Sequence, residues 1–488
     1  MPKRSGSRTR VERDTMGEVR VPAGALWGAQ TARAVENFPI SGLRAHPAFV
    51  DATVRVKIAA ARANARLGLL PREKARAIEG AAREVLAGRW RDHFVVDVYQ
   101  AGAGTSHHMN VNEVLANRAT ELLGGRRGAE RLVDPNDDVN MAQSTNDVVP
   151  TAIRLAALEL APAVIEALSG LSRTLEAKAR RWQGIVKSGR THLMDATPLR
   201  LGQEVSGWAA ALSVAAGRVR DALPELSVVG IGGTAVGTGL NAHPRYRALV
   251  VAELEKLTGV PLTPAPNLFY AMQSLAPFVA LSGVLRTAAL ELLRIGGDVR
   301  LLGSGPNTGL AELRLPPVQP GSSIMPGKVN PSMAEMLAMV SYQVVGLDGA
   351  IAWASSGGQL ELNVMMPLVA FDLCHALEVL AAAVRAFDRR CARGLEAEPA
   401  RARHFAERTV SLATALAPRL GYARAAEIVK ASVASGRSIV ALAVELGGLA
   451  PAEARRLLDP AKLTAPGRAR GPAQRPTVAR RTGPSRAV

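Results

Sequence analysis

The chain has 488 residues, 48% of them hydrophobic and 21% charged, an ordinary globular composition but too long for one core, so two or three structural units are expected. Aromatic residues make up only 4%, and a core of Ala, Leu and Val suits close helix packing better than an aromatic-rich sandwich. The net charge of +18 is concentrated at the ends, in six arginines among residues 466–488 and four basic groups among residues 1–10, with no aromatic interleaving or zinc-finger spacing, which argues against a specific nucleic-acid partner.

In chain order, residues 1–10 read as a basic, disordered N-terminus without the apolar segment of a secretory signal. Residues 11–142 are expected to form an N-terminal mixed domain. Within it Val50–Gly88 has helical apolar spacing, punctuated at Pro71. Asn112–Leu123 reads as a helix stopped by Gly124–Gly125. Residues 143–397 are expected to form a central helical bundle built on four long tracts, Thr151–Trp182, Pro198–Leu226, Met272–Leu302 and Leu362–Arg393. Helices of about 30 residues would span about 45 Å and bury their faces against partners, including other subunits. Pro162 predicts a kink or break in the first tract. A small C-terminal helical domain is expected over 398–463, followed by a disordered Arg-rich tail over 464–488. Cys374 and Cys391 read as reduced, buried thiols of a cytoplasmic protein, and with no run of eighteen apolar residues no membrane span is expected.

Between the rods lie irregular segments at 100–110, 134–150, 184–198, 230–245 and 304–331, rich in Gly, Ser, Thr, Asn and His. Reactive groups are to be sought on such loops. The most informative runs Gly321–Ser–Ser–Ile–Met–Pro–Gly–Lys–Val–Asn330–Pro331. Its glycines and prolines describe a loop that can hinge yet keep its shape. Ser322 and Ser323 offer hydroxyls, Lys328 a positive charge and Asn330 a bidentate amide, a set that could bind a carboxylate and place a base beside it.

This run resembles the long diagnostic motif of the fumarase/aspartase superfamily, in the form of its aspartate ammonia-lyase and class II fumarase branches. Three further segments match in order: Gly102–Ala–Gly–Thr105–Ser106, Gln143–Ser144–Thr145–Asn146–Asp147 and Gly189–Arg–Thr191–His192–Leu193–Met194–Asp195–Ala196. The resemblance runs from about Val11 to Leu463. It implies a mainly α, three-domain fold with a central long-helix bundle, a homotetrameric core with active sites shared between subunits, and elimination from a small dicarboxylate without a cofactor or metal.

By the same resemblance Ser322 is the base, with Lys328 and nearby backbone N–H groups lowering the cost of its alkoxide. Thr105, Ser144, Thr145 and Ser323 donate to the carboxylate on which charge develops, because donors aimed at developing charge are the largest catalytic term. Lys328, Asn330 and Thr191 hold the other carboxylate. His192 and Asn146 face the leaving group, and Glu335 pairs with His192. At most one of His107 and His108 is expected to line the pocket; His46, His93, His243, His375 and His404 read as structural. Gly232–Gly–Thr–Ala–Val–Gly237 follows no βαβ pattern and reads as a structural turn. Asp134 stands where some fumarases have the histidine of a second anion pocket, and an aspartate would repel a dicarboxylate.

Two leaving groups compete. Trp27–Gly–Ala–Gln–Thr31 and Gly202–Gln–Glu–Val–Ser–Gly–Trp208 resemble fumarases, whereas Ala103, Ser106 and the order Ser144–Thr145–Asn146 resemble aspartate ammonia-lyases. The residues nearest the chemistry favour ammonia leaving from L-aspartate, with class II fumarate hydratase as the alternative. A catalytically inactive structural or binding descendant is a remote one, since every reactive residue of the motif is present.

Overall fold

The computed structural model describes residues 8–128 and 131–467. Residues 1–7 and 468–488, most of the basic terminus and of the Arg-rich tail, lie outside the described residues. The chain is mainly α. A short hairpin, β1 (Thr9–Asp14) with β2 (Gly17–Pro22), precedes α1 (Pro47–Arg66), α2 (Arg72–Leu86) and α3 (Thr105–Leu122). Then follow α4 (Thr145–Arg181), a second hairpin of β3 (Val186–Thr191) and β4 (Met194–Arg200), and α5 (Leu201–Leu226). The last long rods are α6 (Ala276–Leu302), α7 (Ser332–Ser355) and α8 (Met366–Arg390).

Two expectations change at this level. The helix α4 runs through Pro150 and Pro162 without a break. Ala157, Ala161, Val164 and Leu168 around Pro162 are fully or almost fully buried, and their burial outweighs the roughly 3 kcal/mol that an internal proline costs. A fifth long rod, α7, begins directly after the Pro331 that closes the serine loop, where proline at a helix entrance is well placed.

The termini of the fold also differ from the boundaries read in the sequence. Thr9 and Arg10 belong to β1, and the Arg10 guanidinium donates to the carbonyls of Ala25 (2.6 Å) and Trp27 (2.8 Å). At the other end Thr464 is buried; its hydroxyl accepts from Arg200 Nε at 3.0 Å and its carbonyl from Gln203 Nε2 at 3.0 Å.

The chain divides into two compact units. The first draws on residues up to 173, 210–300 and 317–394; the second on 174–209, 301–316 and residues from 395 onward. The division read from sequence follows position along the chain, whereas these units follow packing. Leu26, Val54, Ile58, Ile78, Val114 and Leu115 form a core in the first unit, and Leu412, Leu416, Ile428, Leu442 and Leu458 a core in the second.

Four helical stretches, α4, α6, α7 and Met366–Gly394, are long and apolar enough to cross a membrane by length and composition, although the sequence holds no continuous apolar run of that length. Their most apolar windows differ in burial. Those of α4 and of Met366–Gly394 are 72% and 61% buried, whereas those of α6 and α7 are only 44% and 39% buried. Met339, Tyr342 and Trp353 stand exposed along α7.

Candidate active site

In the first unit the N-terminal turns of α3 and α4 pack together. Ala103 and Gly104 adopt positive φ (62° and 90°), and the Ala103 N–H donates to Val364 O at 2.8 Å, which sets Thr105 exposed at the first position of α3. A Cβ on Gly104 would lie 3.2 Å from Val149 of α4, so the close approach of the two turns depends on that glycine. Ser144 caps α4: its hydroxyl accepts from Asn146 N at 3.2 Å, while the Asp147 carboxylate accepts from Ser144 N at 2.9 Å, a reciprocal cap. Asp147 also accepts from Gly232 N and Thr234 N, both at 3.0 Å, and Asn146 Nδ2 donates to Ala235 O at 2.7 Å. The glycine turn at 232–237 is therefore the back wall of this end of α4. Burial pushes the Asp147 carboxyl up to about 6, against the pull of those N–H groups and of Lys57. Two helix N-termini and several hydroxyls make this corner suited to an anion.

The serine loop is closed on itself. Gly321 N donates to Lys328 O at 2.9 Å, and Asn330 Nδ2 donates to Gly321 O at 2.6 Å. Ser322 Oγ accepts from the backbone N–H of Ile324 (3.2 Å) and Met325 (3.1 Å), two donors that would stabilise the oxygen were it to carry charge. Ser323 and Lys328 are exposed. Among the described residues, none of the hydrogen bonds of Ser322 or Asn330 reaches the corner at Thr105 and Ser144–Asn146 of the same unit. A Cβ on Gly321 would lie 2.3 Å from Lys328 O. Gly321→Ala is therefore expected to open the loop and to lower kcat by about a hundredfold with little change in folding; unchanged kcat in steady-state assays would show that the closure is dispensable.

In the second unit the segment read as irregular is the β3–β4 hairpin. Thr191 pairs with Met194, and the two residues between them, His192 and Leu193, both have positive φ (56° and 61°). That is the backbone of a tight primed turn, normally made by Asn-Gly, here held by two side-chain-bearing residues at some cost in strain. His192 is thus placed, exposed, at the tip of a stiff ribbon beside Thr191. Its base is pinned by a buried cluster: Arg190 donates to both oxygens of Glu312 (3.0 and 3.1 Å), and Lys187 Nζ lies 3.0 Å from Glu204 and 3.4 Å from Glu312. Glu335 lies in the first unit on the first turn of α7, 3.9 Å from Arg300.

One group escaped the sequence reading. Lys57 is fully buried on α1, in contact with His108, Asn140 and Gln143. His108 in turn meets Thr145 Oγ1 at 2.8 Å. The sign was a lone lysine in the otherwise apolar run Val56–Ala61. His107 is buried too, but it stacks on Phe49 at 4.3 Å and meets Thr53 Oγ1 at 3.0 Å, and burial pushes it down to about 3. Asp134 accepts from the N–H groups of Asn136 (2.7 Å) and Asp137 (3.0 Å), so its carboxylate covers backbone donors that an incoming anion would need. Among the described residues no three His, Cys, Asp or Glu side chains cluster as a metal site requires.

Comparison with known proteins supplies the lineage. The Lyase family matches residues 17–346, and the family of the fumarase C C-terminus matches residues 412–465. The class II fumarate hydratase of Ralstonia nicotianae is 48% identical over 440 residues, covering 90% of this chain and 95% of its own. That of Thermus thermophilus is 48% identical over 460 residues, covering 94% and 98%. Among solved structures, the class II fumarase of Schistosoma mansoni superimposes with a TM-score of 0.91 at 37% identity, covering 93% of this chain and 99% of its own. A fumarate lyase/delta crystallin from Brucella melitensis, bound to cobalt, gives 0.90 at 46% identity, covering 94% and 100%. These relatives overturn the expectation that ammonia leaves from aspartate. Part of the misreading lies at Ala103 and Ser106: weighed as reporters of the leaving group, both are buried.

Proposed function

The chain is a lyase of the fumarase/aspartase superfamily, in its class II fumarase branch, and on that premise we propose that it is a class II fumarate hydratase, interconverting L-malate and fumarate. The observation that supports this most is the near-complete coverage of fumarate hydratases by this chain at almost half identity. In the proposed reaction Ser322, as an alkoxide held by the Ile324 and Met325 N–H groups, removes a proton from the malate carbon next to a carboxylate. The electron pair moves into that carboxylate, which Thr105, Ser144, Thr145 and Ser323 stabilise by neutral hydroxyl donors. Lys328, Asn330 and Thr191 hold the other carboxylate. The C–O bond then breaks, the hydroxyl takes a proton and leaves as water near His192 and Asn146, with Glu335 fixing the histidine.

We place these loops together by assembly rather than within one chain. The open apolar faces of α6 and α7 suit burial against further copies of the chain, and a homotetramer with shared active sites is the proposed functional form. A cytoplasmic location is proposed with it, in keeping with the free, buried Cys374 and Cys391.

Fumarate offered in deuterium oxide tests the chemistry. Anti addition is expected to give malate with one deuterium in a single configuration, read from its proton couplings; syn or scrambled label would remove Ser322 and the opposing water as a matched pair.

A further inference from the structure

Lys57 Nζ faces three groups: Asn140 Oδ1 at 3.0 Å, Gln143 Oε1 at 2.9 Å and His108 Nε2 at 2.5 Å. The two amides are oriented by their own N–H groups. Gln143 Nε2 donates to the carbonyls of Val139 and Met141, both at 3.1 Å, and Asn140 Nδ2 donates to Gln143 O at 3.3 Å. Their oxygens are thus left to face the lysine. Across the imidazole, His108 Nδ1 lies 2.8 Å from Thr145 Oγ1.

An ammonium has three donors and no lone pair. Among two amide oxygens and a ring nitrogen it is fully satisfied only when Nε2 is bare. The single proton of the neutral ring then sits on Nδ1 and is donated to Thr145. Thr145 opens α4, so no carbonyl within the helix four residues earlier takes its own O–H, which stays free for an anion at the helix end. An uncharged Lys57 would reverse the chain: the amine would accept from Nε2–H, Nδ1 would become an acceptor, and the Thr145 hydrogen would turn inward.

We propose that Lys57 and His108 are positioning residues that set the direction of the Thr145 hydroxyl, making it a donor to the substrate carboxylate while Lys57 is charged. The identity of that substrate rests on the fumarate hydratase reading; the direction of the hydrogen bonds does not. The other groups bearing on Lys57 are His107 and His108 of α3 and Asp147 of α4, with Tyr246, at the start of the helix Tyr246–Thr258, bearing in turn on Asp147. Burial pulls Lys57 well below the usual lysine range, and the Asp147 carboxylate opposes that pull.

The direct test is magnetic resonance of the ring nitrogens in the intact protein with isotope-labelled histidine, His108 being assigned through His108→Gln. A protonated Nδ1 with a bare Nε2 at neutral pH is expected; the reverse tautomer or a doubly protonated ring overturns the proposal. In kinetics, Lys57→Met and Thr145→Val should each lower kcat/KM by about a hundredfold, and the double variant should lose no more than Thr145→Val alone. Multiplying losses would mark Lys57 as merely structural and overturn the proposal. If Lys57→Met fails to fold, the ring nitrogens still decide. The predicted tautomer in a protein that ignores both malate and fumarate would leave the relay standing and remove the fumarate hydratase reading instead.

Discussion

Ser322→Ala is expected to lower kcat for malate dehydration by about a thousandfold while leaving assembly unchanged. The Ser322 hydroxyl oxygen already accepts two backbone N–H bonds, so the charge needed for proton abstraction would form where donors are in place. An ordinary serine is far too weak an acid for this work, and those two donors are the means by which its alkoxide becomes accessible. The substitution removes a single atom from a partly exposed loop, so the fold has little to lose. Steady-state kinetics beside sedimentation of the same preparation give the answer. Wild-type kcat in a correctly assembled variant would exclude Ser322 as the base.

The second large effect is on stability. Glu312→Ala is expected to cost about 3–5 kcal/mol, because it leaves the buried Lys187 and the partly buried Arg190 without their shared carboxylate. Glu312 is completely buried and Lys187 almost so; without Glu312 the lysine keeps Glu204 at 3.0 Å, while Arg190 loses the carboxylate that takes both of its N–H donors. Activity should fall as well, since this cluster anchors the ribbon that presents Thr191 and His192. Denaturant unfolding measures the loss, and an unchanged midpoint would mean that the second unit does not depend on the cluster.

How much of this was legible in the sequence depends on how local each feature is. The serine loop reads directly because Ser322, the N–H groups that meet it, Lys328 and Asn330 all fall within ten consecutive residues. The starts of α3 and α4 did not read as well: helical spacing is apparent only from Asn112 and Thr151, inside helices that begin at Thr105 and Thr145. The β3–β4 hairpin did not, because His192–Leu193 is not the chemistry that marks a primed turn. Pro162 predicts a kink or a break, and the break does not occur because burial along the rest of α4 outweighs the local rule against helix. The Lys57–His108–Thr145 chain was hidden because its contacts span 51 and 37 residues of sequence. The leaving group was misread at Ala103 and Ser106 because a position near a reactive loop can still point into the core.

The measurement that tests the central claim most directly is fumarate formation, followed by its ultraviolet absorbance, from L-malate and from L-aspartate with equal enzyme. Turnover of malate and none of aspartate is the predicted result. Turnover of aspartate with none of malate would contradict the account, and silence on both would contradict it as well.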